Sequence, residues 1–268
     1  MIPALILALT LTSTIQAQTE THEEMTVPLS SPGKPCKVKI ESMYGSIKVI
    51  GSDVKEVVVG VETEKKEEGS AGPGGMKRLG GGSAEVTASE DDNTVTVSAG
   101  LSQVKSITVK VPMNTAGLTL STVNNGDIWV KDVNAQIEVN NVNGRITCDD
   151  VSGSVVANTV NGDVSVIFKT INPQAAMAFS TLNGKIDVTF PATLKAKLKL
   201  KSDQGDIFSD FDVAIDKGKQ PTAPEKTDGS HMYKIEIDDW VYGTVGGGGP
   251  EIMMKTFQGS IYVRKAKQ

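Results

Sequence analysis

Few side chains in this sequence are of types that carry out acid–base, nucleophilic or metal chemistry. It has two histidines, His22 and His231, and two cysteines, Cys36 and Cys148. Neither histidine has a spacing that sets a base beside a nucleophile and an acid, so a Ser-His-Asp arrangement is not expected. Two His and two Cys at unrelated spacings also make a poor zinc site. The cysteines are far apart in the chain. In an oxidising compartment they could pair, but the favoured reading is two small residues of the core.

Carboxylates are more plentiful. Asp203, Asp206, Asp210, Asp212 and Asp216 lie close together, and Asp149 adjoins Asp150. Calcium takes about six to eight oxygen ligands, and clustered aspartates supply them. Asp203, Asp206, Asp210 and Asp212 are therefore the weak candidates for a metal, with calcium the one cofactor they suggest. The ordinary reading is solvated edges and turns, because the G-G-x-G-x-D pattern of calcium-binding repeats is missing. A glycosidase needs two paired carboxylates, and no pair is singled out. Parallel β-helix polysaccharide lyases combine Asp with calcium and a basic residue. Arg145 near Asp149 and Asp150 is the one such grouping. No catalytic residue and no cofactor-binding residue is assigned.

Composition narrows the partners. The 268 residues carry a net charge of -5. The only arginines are Arg78, Arg145 and Arg264, which argues against nucleic acid, whose binding draws on Lys and Arg against phosphate. Residues 2–17 (IPALILALTLTSTIQA) are uncharged and apolar, with the small Ala17 where a signal peptidase would cut. Residues 1–17 are expected to be a signal peptide, although no Lys or Arg precedes the run. The run falls short of the roughly 20 apolar residues that span a bilayer, and no later segment is long and apolar enough. The expectation is an exported protein, periplasmic or at the cell surface, with a flexible segment over 18–29.

A repeat governs the rest. Gly126, Ala135, Gly144, Gly153 and Gly162 stand nine residues apart. Two residues after each comes Ile128, Ile137, Ile146, Val155 or Val164, and four residues after comes Val130, Val139, Cys148, Ala157 or Val166. Seven residues after come Val133, Val142, Val151 and Val160, with Lys169 breaking the series. The same template fits around Gly45, Gly184, Gly205 and Gly259. Asn or Gln precedes the glycine in alternate copies, so paired units make a repeat of about 18 residues.

The expected fold is all-β, a parallel β-helix or solenoid. The alternative is an antiparallel meander or sandwich, since Asn-Gly between alternating strands is a strong hairpin signal. The solenoid is favoured because the apolar phase is the same in half-coils with and without Asn-Gly. The apolar residue at the seventh position also recurs, which a plain hairpin leaves on its outer face. A corner two residues earlier would turn it inward, with Gly or Asn at the following position supplying positive φ. Residues 63–83 and 210–231 read as surface excursions, and residues 84–99 as a hairpin turning at Asp91, Asp92 and Asn93.

The repeated "VNGRI", "VNGDV" and "LNGKI" and the ending "GGGGPEIMMKTFQGSIYVRK" resemble the bacterial putative-adhesin β-strand-repeat domain of unknown function, over residues 30–266. Gln258 stands where that family commonly has Asn. The resemblance implies a β-helix-like fold and an envelope location, and brings no catalytic residues. The function expected is a non-enzymatic exported solenoid, adhesin-like or structural, contacting glycans or envelope proteins. The alternative is a polysaccharide-active or calcium-dependent β-helix enzyme. The charged closing run is expected to guard one open end, so that removing residues 250–268 would bare a last coil and promote association.

Overall fold

The computed structural model describes residues 21–63, 85–100, 104–216 and 240–267. The expected signal peptide, His231 and nearly all of the 63–83 excursion lie outside these residues. The chain runs through β1 (Thr21–Val27), β2 (Lys37–Tyr44), β3 (Ser46–Ser52), β4 (Val57–Thr63), β5 (Val86–Asp91) and β6 (Thr94–Ala99). It continues through β7 (Val104–Pro112), β8 (Asn114–Asn124), β9 (Ile128–Lys131), β10 (Asn134–Asn141), β11 (Ile146–Asn158) and β12 (Val164–Ile171). It then forms β13 (Met177–Asn183), β14 (Ile186–Phe190), β15 (Ala196–Gln204), β16 (Ile207–Ser209), β17 (Ala214–Ile215), β18 (Val241–Val245), β19 (Glu251–Gln258) and β20 (Ile261–Lys265).

These strands stack as an all-β solenoid with two parallel faces. The first face runs β6, β2, β8, β10, the second half of β11, β13, β19 and β15. The second runs β7, β3, β9, the first half of β11, β12, β14, β20 and β16. The nine-residue unit is one face plus one corner, and two units make a coil. Inward side chains alternate with outward ones, as strand geometry demands. Val38, Ile40, Leu118, Leu120, Ile137, Val139, Val155 and Ala157 are all buried on the first face. Ile47, Val49, Ile128, Val130, Ile146, Cys148, Val164 and Val166 are buried on the second. Each fully buried Val or Ile contributes about 1.5–3 kcal/mol, so the stack rather than any one coil carries the stability.

Stacking order departs from chain order at both ends. The N-terminal coil, β2 and β3, lies between the β6–β7 and β8–β9 coils. The C-terminal coil, β19 and β20, lies between β13–β14 and β15–β16. The closing run therefore guards no open end. Its strand β20 is hydrogen-bonded on both sides, and residues 250–268 hold an interior coil.

Antiparallel strands cover the ends of the stack: β4 on β7, β1 on β4 and β5 on β6 at one end, β18 on β15 and β17 on β18 at the other. The expected hairpin is thus present, with Asp92 and Asn93 at φ 45° and 58° in its turn. Residues 21–27, expected to be flexible, instead form β1, and the reason is apolar. Val27 and Leu29 are buried and Met25 packs on the core.

The two corners differ, which corrects the reading of the seventh position. Val133 and Val151 point inward, because Asp132 and Asp150 adopt φ 55° and shift the phase of the chain. Aspartate supplies the positive φ just before each valine, and Gly153, past Val151 in the same corner, supplies it again at φ 102°. At the other corner no such shift intervenes after Asn141 and Thr159, which are buried, so Val142 and Val160 point outward. Where Lys169 breaks the series, Phe168 pairs with Val151 and fills the core, stacked on Phe190 at 5.3 Å. Lys169 turns out to Asp132 at 2.6 Å.

The second corner is built on a column of glycines. In stacking order these are Gly45, Gly126, Gly144, Gly162, Gly184, Gly259 and Gly205. A Cβ on each of the last six would collide with the carbonyl oxygen of the glycine before it. Those same carbonyls accept hydrogen bonds from the residue three or four places before the next glycine. Thr159 Oγ1 donates to Gly144 at 3.0 Å, Thr181 Oγ1 to Gly162 at 2.8 Å, Thr256 Oγ1 to Gly184 at 2.9 Å and Ser202 Oγ to Gly259 at 2.8 Å. Asn141 Nδ2 and Thr122 Oγ1 serve Gly126 and Gly45 alike, at 2.8 and 3.2 Å.

Gly162→Ala is expected to cost about 3 kcal/mol or more, since backbone cannot yield to the new methyl. Gly100→Ala, with open space around it, should stay within about 0.5 kcal/mol of the parent. Thr181→Val should cost about 1–3 kcal/mol by orphaning a carbonyl. Urea denaturation of the three variants checks this. Deleting residues 250–268 should leave no cooperative unfolding transition, because two coils lose their shared neighbour. A folded truncated chain would contradict the stacking order.

Candidate functional site

Along the corner that leads into the first face runs an open trough. One part, of about 1030 Å³, extends from Lys37 to Ala176. Its floor is a cross-strand row of Lys37, Gly117, Gln136 and Ser154, beside a second row of Lys39, Thr119, Glu138 and Val156. Residues 172–176 form a wall. A second part, of about 730 Å³, runs past Lys169 and Gln174 to Lys195 and Pro250. The two parts share Thr170, Ile171 and Pro173, so they join end to end.

The local sequence explains the shape. Gly117 puts no side chain between Lys37 and Gln136 and leaves the floor low. The Asn172–Pro173 pair breaks β12 and lifts the wall, with Gln174 N donating to Asn172 Oδ1 at 3.0 Å. Cross-strand neighbours repeat every ~4.8 Å, so amides and hydroxyls recur at a fixed interval along the trough. Among the described residues that line it, Glu138 is the one carboxylate. Such a lining can donate and accept hydrogen bonds along an extended ligand. Lys169 sits at the edge, and its hydrogen bond to Asp132 holds its amine above the usual lysine range and the Asp132 carboxyl below the usual carboxylate range.

The residues singled out from the sequence lie elsewhere. Arg145 is at the glycine corner, at one end of its second-face strand. Asp150 is at the opposite corner, roughly 16 Å along extended chain. Asp149 accepts a hydrogen bond from Trp129 Nε1 at 2.9 Å. The structure does not bring these three together. Asp203 pairs with Lys201 at 3.4 Å, the Asp206 amide donates to Ser260 Oγ at 3.2 Å, and Asp210 Oδ2 accepts the Lys265 amide at 3.3 Å. Asp212 is exposed. Among the described residues no three His, Cys, Asp or Glu side chains are grouped to hold a metal.

Sequence reasoning missed the surface aromatics. Lys48 lies 4.5 Å over Trp129. Phe208 stacks on Tyr262 at 5.2 Å, with Arg264 over Tyr262 and bidentate to Asp187 at 2.6 and 3.0 Å. Only their outward phase in the repeat could have signalled them.

Cys36 and Cys148 are unpaired and buried. They sit in different coils, with the β8–β9 coil between them. Burial pushes both thiols up, Cys148 to about 12. Neither should react with a thiol reagent at pH 8 in the folded protein, and both should react after unfolding. Fast labelling of the native protein would contradict their placement. The linkage has a sign. The folded Cys148 binds its proton more tightly than an exposed thiol at 9.0. Its contribution is complete below about pH 9 and lost as pH rises toward 12, so alkaline titration should lower the melting temperature across that window.

No curated protein matches the chain. Among solved structures, a "putative cell adhesion protein" from Clostridium sporogenes is 10% identical, with a TM-score of 0.48, covering 92% of this chain and 100% of its own. A "putative adhesin" from Bacteroides fragilis is 12% identical, with a TM-score of 0.35, covering 93% and 98%. Both are remote. The model of the toastrack DUF4097 family matches residues 82–240, more than half of the sequence. The coils from β8 to β16 fall within that match, and the chain belongs to the toastrack DUF4097 family, a domain of unknown function.

Proposed function

We propose that this protein is a non-enzymatic, exported cell-envelope solenoid that holds an extended glycan along its trough. The observation that carries the reading is the lining itself. Amide, hydroxyl and lysine side chains repeat along two joined depressions, with a single carboxylate, Glu138, among the described lining residues. Glycoside hydrolysis works with two carboxylates flanking the bond. The trough therefore favours holding a chain over cutting it. Export rests on the apolar residues 2–17. No helix of the described residues is long and apolar enough to cross a membrane.

A glycan-array screen of the purified protein, run with calcium and with chelator, tests the reading. Binding is expected in both buffers. Gln136→Trp, which would fill the floor from an exposed position, should weaken binding at least about tenfold while leaving the melting temperature unchanged. Absence of binding, or equal binding by the variant, would overturn the trough as the site. Cleavage of the bound glycan would overturn the non-enzymatic reading.

A further inference from the structure

The glycine corner, on the opposite side from the trough, carries an apolar ridge. The residue after each buried Thr, Ser or Asn points outward. In stacking order the ridge reads Met43, Val123, Val142, Val160, Leu182 and Phe257, six successive coils. Met43, Val142, Val160, Leu182 and Phe257 are exposed, Leu182 at 47% and Phe257 at 41%, with Val123 half-buried among them. Beside the ridge runs the residue that follows each glycine. Over the six coils of the ridge this second row reads Ser46, Asp127, Arg145, Asp163, Lys185 and Ser260. Asp127 Oδ1 accepts the Arg145 amide at 2.7 Å and Asp163 Oδ1 the Lys185 amide at 3.0 Å. Among the described residues the side chains of Arg145 and Lys185 form no ion pair.

The second row has a symmetry. About the midpoint of these six coils, between the Gly144 and Gly162 coils, the four charges meet their opposites: Arg145 mirrors Asp163, Asp127 mirrors Lys185 and Ser46 mirrors Ser260, while Asp206, after Gly205, lies one coil beyond the ridge. The ridge has the same midpoint, where Val142 mirrors Val160, Val123 mirrors Leu182 and Met43 mirrors Phe257. A two-fold axis across the ridge at that point sets apolar row on apolar row and charge on opposite charge.

We propose that this corner is an isologous interface on which a second copy of the chain docks antiparallel. The charge order is what selects the occupant: a parallel copy, turned about an axis along the ridge, leaves the two charged rows on opposite sides of it, and an antiparallel one lays row on row and pairs all four charges. The strip spans six coils, about 29 Å, and with a width of about 15 Å the two copies bury on the order of 900 Å², below the ~1,200 Å² of a standard stable interface. The dimer is accordingly weak, reversible and salt-sensitive. It leaves both troughs open, on the outer sides of the pair.

Alternating charges on neighbouring coils also attract within one chain, and a charge swap separates the two effects. Sedimentation equilibrium of the purified protein is expected to show a monomer–dimer equilibrium that weakens as salt rises. Arg145→Asp should weaken it at least about tenfold by setting a carboxylate against Asp163 of the second copy. The double variant Arg145→Asp/Asp163→Arg should restore it. The exchanged charges then face each other across the axis, while the new carboxylate at position 145 stands beside the like-charged Asp127 in its own chain. Val160→Ser should weaken dimerisation with the melting temperature unchanged. A parent that stays monomeric up to about 1 mM, a dimer indifferent to Arg145→Asp, or a swap that restores nothing would overturn the interface. None of these outcomes depends on glycan binding, which reads the other corner.

Discussion

One close approach sets the geometry of this molecule. At the glycine corner, over six successive steps, the backbone passes so near the coil before it that only a glycine fits, and the carbonyl it approaches is taken by a side-chain hydroxyl or amide. The two halves of this contact depend on each other. The carbonyl is shut off from water, so without the side-chain donor it would be an orphaned acceptor. The donor is buried too, so without the close approach it would have no partner. Repeated over six steps, the pairing fixes the register of every strand that leaves the corner. A one-residue slip would put a Cβ into a carbonyl and turn every inward valine toward solvent.

The register explains how two distant segments find their places. Both terminal coils carry a glycine of the same column, and the C-terminal coil carries the same donor as well. Gly45 at one end, and Thr256 and Gly259 at the other, match the central copies in spacing, while Ser42 stands at the donor position but gives its hydroxyl to the Tyr44 carbonyl of its own coil. Nothing in the local contacts distinguishes insertion from simple addition at the end of the stack. The difference lies in the neighbours. Strands β4 and β18 return antiparallel onto β7 and β15 and close the outer edges. Edges left open would present unpaired backbone to other chains, so the order that inserts both terminal coils also permits both ends to be covered. The cost is long-range pairing, which slows folding.

The sequence showed the solenoid, the nine-residue unit and the inward rows, because those follow from period and phase alone. It also showed the hairpin at Asp92 and Asn93. It did not show the coil order, since a repeat whose copies are interchangeable carries no label for position. It misread Val142 and Val160, which share a period with Val133 and Val151 but have no left-handed residue just before them. Asp132 and Asp150 held that information, and an aspartate in a loop is ordinarily read as a solvated turn. The candidate site was less readable still. The trough depends on Gly117 lying between Lys37 and Gln136, residues that are 80 and 19 positions away in sequence, and Lys37 becomes its neighbour only through the inserted coil.

Insertion of the terminal coils also decides which surfaces are regular. A coil at the end of a stack has one neighbour and is free to distort, whereas an inserted coil is held on both sides. The first-face row from Lys37 to Ser154 and the glycine corner from Met43 to Phe257 lie on coils with neighbours above and below. Surfaces meant to match an extended chain, or a copy of themselves, need a constant spacing over several coils. Here that constancy comes from placing the terminal coils inside the stack, with Met43 and Phe257 at the two limits of the ridge and Lys37 at one limit of the trough. The regular part of the molecule thus extends as far as the inserted coils reach, and the antiparallel strands beyond them are left to close the ends.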